Sequence, residues 1–206
     1  MHHALRRGPA APIALALAAA LTPRISPAAT VVGFDFDDAA LQFENAPAFV
    51  APDLGASAWT DLDGTLTNLG GNPGKALGAK SFNDGNTLQF TLTIAPGQAL
   101  YLDGFGFDAQ VSASGPKLWT LAIAGDAIAS GTTATSFQSN GGNFAERRYT
   151  GPIEVALHGE GATSTSGTFR VDNFALSGRV AAVPVPAAAW LALVPGASLL
   201  RRRRSR

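Results

Sequence analysis

The sequence predicts an all-β fold, in the form of a single antiparallel jelly-roll β-sandwich. Apolar and polar residues alternate in several short segments, most clearly in Thr87–Ile94, where every even-numbered residue is apolar, as expected of a strand with one buried face. Loops rich in glycine, asparagine and proline separate these segments, as in residues 68–74, and they argue against long helices. Residues 30–180 are enough for one hydrophobic core and one domain.

The remaining strands follow from the same kind of pattern, and about eight are expected in all. Three candidates lie near Val32–Phe36, Leu100–Val111 and Thr168–Leu176. Two others have a clear apolar face, which consists of Trp119, Leu121 and Ile123 in one strand and of Ile153, Val155 and Leu157 in the other. Strands separated by glycine, asparagine and proline loops indicate a sandwich, and a jelly roll is the form that we expect.

Residues 1–28 have the features of a secretory signal peptide. Arg6–Arg7 precede an apolar stretch over Ala10–Leu21, and small residues follow at Ser26 and Ala28. A charged region, an apolar region and a small-residue cleavage site in this order direct a chain to the secretion machinery. We therefore expect cleavage after Ala28 and export of the mature domain.

Residues 183–206 form a three-part segment, with a proline-bearing entry, an apolar run and a terminal block of arginines. The apolar run, Ala187–Leu200, has 14 residues. As a short hydrophobic helix it would be about 21 Å long, less than the roughly 30 Å hydrocarbon core of a membrane, and Pro195 would kink it. Four consecutive arginines would hold its end on the cytoplasmic side of the inner membrane: Arg201, Arg202, Arg203 and Arg204.

This segment resembles the sorting tail of PEP-CTERM proteins, in the variant that reads V-P-x-P-A-A-x-W-L. The matching residues are Val183, Pro184, Val185, Pro186, Ala187, Ala188, Ala189, Trp190 and Leu191. The resemblance implies that an exosortase, an integral-membrane peptidase, removes the tail while the protein moves through the inner membrane to the cell surface or extracellular matrix. A permanent tail anchor and a soluble tail are the alternatives, and the short, kinked run favours a segment that is removed.

Short landmarks in the body also resemble PEP-CTERM proteins. They are Gly33–Phe36, Ser114–Pro116 followed by Trp119, and Arg170–Asn173, which together span most of residues 30–180. The resemblance implies a jelly roll similar to carbohydrate-binding modules. It supports the fold more than any activity.

The full chain has 15 basic and 15 acidic residues, but they are distributed unevenly. Eight of the basic residues lie in the two terminal segments, so the body keeps seven basic residues against all 15 acidic ones, a formal charge of −8. Such a charge favours solubility and opposes binding to nucleic acid, which needs clustered lysine and arginine. The chain has no cysteine, so the exported domain relies on its core rather than on disulfides.

The apolar pattern of the closing strand predicts a β-bulge. Phe169 and Val171 occupy one parity, whereas Phe174 and Leu176 occupy the other. Both pairs should face the core, so the alternation must slip by one residue between them, at Asp172–Asn173. A one-residue slip of this kind is what a β-bulge produces.

The oxygen atoms at that bulge predict a structural calcium (Ca2+) site. Asp172 and Asn173 carry hard oxygen ligands of the kind that calcium prefers, and the lectin-like jelly rolls to which the resemblance points often bind a structural calcium ion. Asp35 or Asp37 on the opening strand would complete the shell if the two terminal strands are neighbours. The alternative is that Asp172 pairs with Arg170 or caps a turn.

Residues 61–66, D-L-D-G-T-L, match the D-x-D-G-T signature of haloacid-dehalogenase-type phosphatases. In those enzymes the first aspartate, here Asp61, attacks phosphorus, and the loop follows a buried parallel strand. Residues 57–60 make a poor buried strand, and the body does not alternate strands with helices. A polar turn at Asp63–Gly64 explains the motif equally well, and the phosphatase remains a weak alternative.

No other pattern singles out an enzyme. His158, the only histidine outside the signal peptide, should lie on the polar face of its strand. Two suitably spaced acidic residues could hydrolyse glycosides, so a carbohydrate-active hydrolase is the alternative function, but the sequence marks no pair. We therefore expect no enzyme activity and assign no catalytic residue.

Four aromatic residues are candidates for stacking against sugar rings: Trp59, Tyr101, Trp119 and Tyr149. Trp119 shares a face with the apolar residues of its strand, and Tyr101 shares the parity of Phe105, so both are expected to pack inward. Trp59 and Tyr149 lie in less regular segments and are freer to face solvent. The sequence thus predicts an exported surface or matrix protein with a structural, adhesive or exopolysaccharide-associated role.

Overall fold

The computed structural model describes residues 29–37, 43–80, 82 and 86–184. The predicted signal peptide, the sorting motif from Val185 onward and the arginine block Arg201–Arg204 lie outside these ranges. Within them, no helix has the length and apolar character needed to cross a membrane. Strands and the turns between them make up the described chain.

Thirteen strands form this part of the chain. In order they are β1 (Ala29–Phe34), β2 (Phe49–Val50), β3 (Leu54–Ala56), β4 (Thr60–Asp61), β5 (Thr67–Gly70), β6 (Lys75–Ala79), β7 (Thr87–Ile94), β8 (Gln98–Val111), β9 (Leu118–Ile123), β10 (Asp126–Thr132), β11 (Gln138–Tyr149), β12 (Ile153–Glu160) and β13 (Phe169–Ala182). The most regular alternation in the sequence, at Thr87–Ile94, coincides with β7 at both ends.

The strands form two antiparallel sheets, which pack as a jelly-roll sandwich. The first sheet has the order β11-β8-β13-β1-β2, with β6 paired to the start of β13 and β5 paired to β6. The second sheet has the order β10-β9-β12-β7-β3, with β4 also paired to β7. The predicted all-β sandwich is therefore confirmed, and the terminal strands β1 and β13 are neighbours.

An aromatic cluster joins the two sheets at the centre of the core. The ring centroid of Trp59 lies 5.5 Å from that of Phe34, 4.6 Å from that of Phe90 and 5.1 Å from that of Phe174. Trp59 is fully buried, so the expectation that its less regular segment leaves it freer to face solvent is wrong. It directly precedes β4, and the pairing of that two-residue strand with β7 directs its side chain into the core.

The predicted β-bulge in β13 is confirmed. Asp172 is opposite Asp108 of β8, and Ala175 is opposite Gly106, so β13 advances three residues where β8 advances two. Asn173 in the bulge has a φ of 50°, in the left-handed region that asparagine tolerates. The slip lets the apolar residues on both sides of the bulge face the core.

The bulge places the Asp172 carboxylate in a fully buried position against the turn that contains Asn72. Its Oδ2 accepts a hydrogen bond from the backbone N–H of Asn72 at 2.7 Å, and its Oδ1 accepts one from the backbone N–H of Asn173 at 2.9 Å. Burial raises the pKa of Asp172 from 3.8 to about 6; the two N–H donors oppose this shift, and the carboxylates of Asp37 and Asp108 add to it. Asp172 thus caps the turn and ties it to the bulge.

Replacing Trp59 with alanine should lower the free energy of unfolding by about 3–5 kcal/mol, because the substitution empties the centre of the core. Leu62→Ala is the control. Leu62 is 63% exposed, and its truncation should change stability by less than about 0.5 kcal/mol. Urea unfolding followed by circular dichroism measures both variants. Equal effects of the two substitutions would contradict the central role of Trp59.

The buried carboxyl of Asp172 should make the protein less stable as the pH rises through its raised pKa. The folded protein keeps a proton that the unfolded chain has already released, so this contribution is fully present below pH 3.8 and is lost as the pH passes about 6. The total change is at most about 3 kcal/mol. Unfolding free energies measured between pH 3 and about 7 should fall less steeply for Asp172→Asn than for the wild type.

Asp63→Asn is the matched control for this measurement, since it removes the same charge from an exposed position in a turn. It should keep the wild-type pH profile. Identical slopes for the wild type and Asp172→Asn would contradict the assignment to Asp172.

Candidate functional site

The outer face of the first sheet carries a row of residues that crosses five strands. In register order the row consists of Phe49, Gly33, Ala175, Gly106 and Gly141. Core phenylalanines flank the three central residues in the chain, so the row itself faces outward. All five residues are at least partly exposed, and four strand spacings give the row a length of about 19 Å. We call this row the outer track.

Bare backbone forms the floor of the outer track. A Cβ atom added to Gly106 would meet only the carbonyl oxygen of Asn140, at 3.9 Å, and one added to Gly33 would meet nothing closer than 3.7 Å. Neither glycine is among the residues with a positive φ, so the backbone conformation does not require glycine at these positions. The absence of side chains here instead leaves an open groove.

An exposed phenylalanine closes one end of the outer track. Phe49 is 48% exposed and lines a depression of about 230 Å³ together with Asp35 and Asn173. A flat apolar ring, a carboxylate and an amide therefore surround one space on the protein surface. Two of the three predicted metal ligands are brought together here, beside an aromatic ring.

A hydrogen-bonded polar wall runs along one side of the track, two residues from its floor. The carboxylate of Asp108 accepts hydrogen bonds from Ser139 Oγ at 2.5 Å and from Asn173 Nδ2 at 3.1 Å. Asn173 Nδ2 also donates to the carbonyl oxygen of Asn72 at 3.2 Å. Since Asp172 bonds to the backbone N–H groups of both asparagines, the buried carboxylate positions this wall.

The other side of the track is polar and uncharged. Ser177 of β13 is opposite Thr30 of β1, and both Ser177 and Asn143 of β11 are opposite Gly104 of β8. The track therefore has one wall with carboxylates and one wall with hydroxyl and amide groups. Hydrogen-bond donors and acceptors are available along both sides.

The predicted calcium ligands are not assembled into a ligand set. Asp35 and Asn173 line the depression beside Phe49, whereas Asp172 directs both carboxylate oxygens at backbone N–H groups. Among the residues that the structure describes, no three histidine, cysteine, aspartate or glutamate side chains are placed to hold a metal ion. The calcium site stays a prediction, and the observed role of Asp172 is that of a turn cap.

Tyr101 does not pack beside Phe105 as its parity predicts. β8 contains one extra residue relative to β13 at Asp103, and this bulge reverses the parity of the residues before it. Tyr101 is consequently only half-buried, and the guanidinium carbon of Arg179 lies 4.3 Å from the centroid of its ring. Arg179, which also pairs with Glu146, occupies the ring face that a sugar would need.

The other aromatic candidates do not form an exposed platform either. Trp119 packs inward as predicted and is 5% exposed. Tyr149, whose less regular segment made it freer to face solvent, is half-buried against the core. Sequence reasoning missed Phe49, because its strand has only two residues and no alternation to read.

The D-x-D-G-T segment is a turn, as the Asp-Gly pair suggests. Asp61 Oδ2 accepts hydrogen bonds from the backbone N–H of Thr65 at 2.9 Å and from its hydroxyl at 2.8 Å, and Gly64 has a φ of 64°. β4, which leads into the turn, pairs antiparallel to β7, unlike the parallel strand of a phosphatase. His158 is half-buried, with its Nδ1 2.9 Å from the hydroxyl of Thr87.

Comparisons with known proteins identify the architecture. No family profile and no curated protein sequence matches the chain. The N-terminal CBM22-1-CBM22-2 tandem domain of Xyn10C from Paenibacillus barcinonensis matches with a TM-score of 0.51 and 13% identity, over 77% of this chain and 47% of that chain. The chain thus spans about half of that structure.

A second solved structure is the family 11 carbohydrate-binding module of the cellulosomal cellulase Lic26A-Cel5E from Clostridium thermocellum. It matches with a TM-score of 0.41 and 14% identity, over 75% of this chain and 97% of that chain. At 13% identity the similarity to the CBM22 tandem domain bears on the fold alone. The chain therefore shares the antiparallel jelly-roll sandwich seen in the CBM22 tandem domain.

Proposed function

We propose that this protein binds neutral polysaccharide at the cell surface or in the extracellular matrix and has no catalytic activity of its own. The observation that carries the proposal is the outer track, an open groove of about 19 Å with an exposed phenylalanine at one end. Pyranose rings have apolar faces and hydroxyl edges. A site with an aromatic ring at one end and hydrogen-bonding groups on its walls suits them.

The charge of the domain decides between classes of polysaccharide. The body carries a formal charge of −8, and Asp35 and Asp108 lie beside the track. Uronic-acid or sulfated chains would be repelled by these carboxylates, whereas a neutral chain would find acceptors for its hydroxyl groups.

Binding is favoured over glycoside hydrolysis by the position of Asp172. A hydrolase needs a carboxylic acid with a raised pKa facing the scissile bond. The pKa of Asp172 is raised to about 6, but its side chain is fully buried and bonded to two backbone N–H groups. It therefore acts as a structural group, and the hydrolase is the less favoured alternative.

The position at which the last strand, β13, ends supports the proposed removal of the tail by an exosortase. β13 ends at Ala182, and the V-P-V-P entry follows at once with Val183, whose backbone N–H donates to the carbonyl oxygen of Gly97. Cleavage by an exosortase beyond this point would leave both sheets complete. The signal peptide, the exosortase and passage through the inner membrane together would bring the folded domain to the cell surface.

Phe49→Ala should weaken binding to neutral polysaccharide by about tenfold, because it removes the apolar ring that packs against the sugar. Gly106→Val should weaken it at least as much, since the new side chain would stand in the middle of the track, where its Cβ meets only the carbonyl oxygen of Asn140 at 3.9 Å. Affinity electrophoresis in gels that contain β-glucan, xylan or alginate measures both effects. Alginate serves as the anionic comparison and should not retard the protein.

Gly151→Val is the matched control, since its added Cβ meets nothing within 4 Å and it lies outside the track. It should migrate as the wild type does. Wild-type mobility for Phe49→Ala and Gly106→Val, in a gel that retards the wild-type protein, would exclude the track as the binding site.

Protein recovered from the native cell surface should lack Arg201–Arg206, because the proline-bearing entry marks the tail for removal. Intact-mass spectrometry measures this directly, and disruption of the exosortase should restore the missing mass. A surface protein that retains the arginine block would favour the permanent tail anchor.

A further inference from the structure

A cleft opens between the two sheets beside β10 and β11, which are edge strands of the second and first sheet. Its volume is about 410 Å³, within the range of roughly 300–1,000 Å³ that is usual for small-molecule sites. Phe105, Trp119 and Phe144 line it with aromatic surface, and Asn140 lines it with an amide. Asn143 also borders the cleft, but its side-chain oxygen lies over Gly104 on the outer face. We call it the edge cleft.

The edge cleft is bounded along both strands. The chain itself joins β10 to β11 through residues 133–137 beyond one end. Towards the other end, Arg147 of β11 forms an ion pair with Asp126 of β10 at 2.5 Å. The lining residues lie between these two connections, so the cleft has the dimensions for one or two sugar units rather than for the middle of a long chain.

All residues that line the cleft are uncharged. Besides the aromatic residues and asparagines they are Ile128, Ala129, Ser130, Ser139, Gly141 and Gly142. An anionic sugar would meet no cation among them, and an amine would meet no carboxylate. Hydroxyl, amide and ring surfaces in one cavity instead fit a neutral, polyhydroxylated ligand.

An unsatisfied donor supports a polar ligand in this cleft. Trp119 is 95% buried, since only 5% of its surface is exposed, and its Nε1–H has no hydrogen-bond partner among the described residues. A buried donor without an acceptor is unfavourable. The Nε1 edge of the indole lies over Gly131 of β10, which is not part of the cleft lining, so an oxygen of a bound ligand would supply the missing acceptor only if the indole turned towards it.

We propose that the edge cleft holds the terminal one or two units of a neutral glycan. Gly141 belongs both to the outer track and to the lining of the cleft, so the two sites meet at the edge strand β11, and a chain on the track would place its end in the cleft by passing around this edge. In naming a glycan as ligand this inference rests on the proposed function. The cleft nevertheless recognises a different part of the polymer.

Isothermal titration of the mature protein with cellobiose, maltose and lactose tests the proposal, with digalacturonate as the charged comparison. At least one neutral disaccharide should bind, and digalacturonate should not. Asn140→Ala and Phe144→Ala should each weaken that binding by about tenfold. Trp119→Phe keeps a ring but removes the N–H donor, and it should also weaken binding. Because Phe144 packs partly against the core, Asn140→Ala serves as the variant that leaves the core intact.

Phe43→Ala is the matched control, since it removes an exposed aromatic ring (43% exposed) that belongs neither to the cleft nor to the track, and it should leave disaccharide binding unchanged. Failure of all three neutral disaccharides to bind overturns the inference, and so does wild-type affinity in Asn140→Ala. Loss of disaccharide binding in Phe49→Ala alone would show that the disaccharide binds in the track. This result would contradict the cleft as its site but would support the proposed function. Disaccharide binding without polysaccharide binding would support the edge cleft as a sugar site and would count against the proposed function of the outer track.

Discussion

The pairing of β13 with β8 on one side and β1 on the other is the constraint on which the rest of the structure depends. β13 runs for 14 residues through the middle of the first sheet. One face of it supplies Phe174 to the aromatic cluster, and the other supplies Ala175 to the outer track. A slip of one residue in this pairing would exchange the two faces and lose both features.

Bulges make this pairing compatible with the sequence. Without the extra residue at Asp172–Asn173, the apolar residues before and after it could not both face the core. The bulge buries a carboxylate, which is unfavourable, as the raised pKa of Asp172 shows. Two backbone N–H donors offset part of that penalty, and the same bonds orient the asparagines beside the track. The bulge that lets the apolar residues of β13 face the core therefore also orients polar side chains on the outer surface.

The two ends of the domain lie on neighbouring strands. Ala29, which follows the predicted signal cleavage site, is opposite Gly178 near the end of β13, and the proposed sorting tail begins directly after that strand. Both terminal segments therefore leave from the same end of the first sheet. The outer track crosses the strands farther along, so the proposed removal of the segments and the proposed binding of a polymer would involve different residues.

The sequence by itself determined the features that depend on near neighbours in the chain. The alternation in Thr87–Ile94 set the limits of β7, the parity conflict around Asp172 located the bulge, and the Asp-Gly pair predicted the turn after Asp61. Each is set by local geometry, since side-chain direction repeats every two residues in a strand and a turn involves only a few residues.

Only the tertiary structure decided which distant residues meet. Trp59 was expected to be freer to face solvent and lies in the core, because a two-residue strand pairs with β7. Tyr101 was expected in the core and lies under Arg179, because a bulge at Asp103 reverses its parity. The outer track joins Gly33 to Gly141, over a hundred residues apart in the chain. The register between strands depends on which faces several paired strands bury at the same time. A short stretch of sequence therefore does not reveal which distant residues are opposite each other.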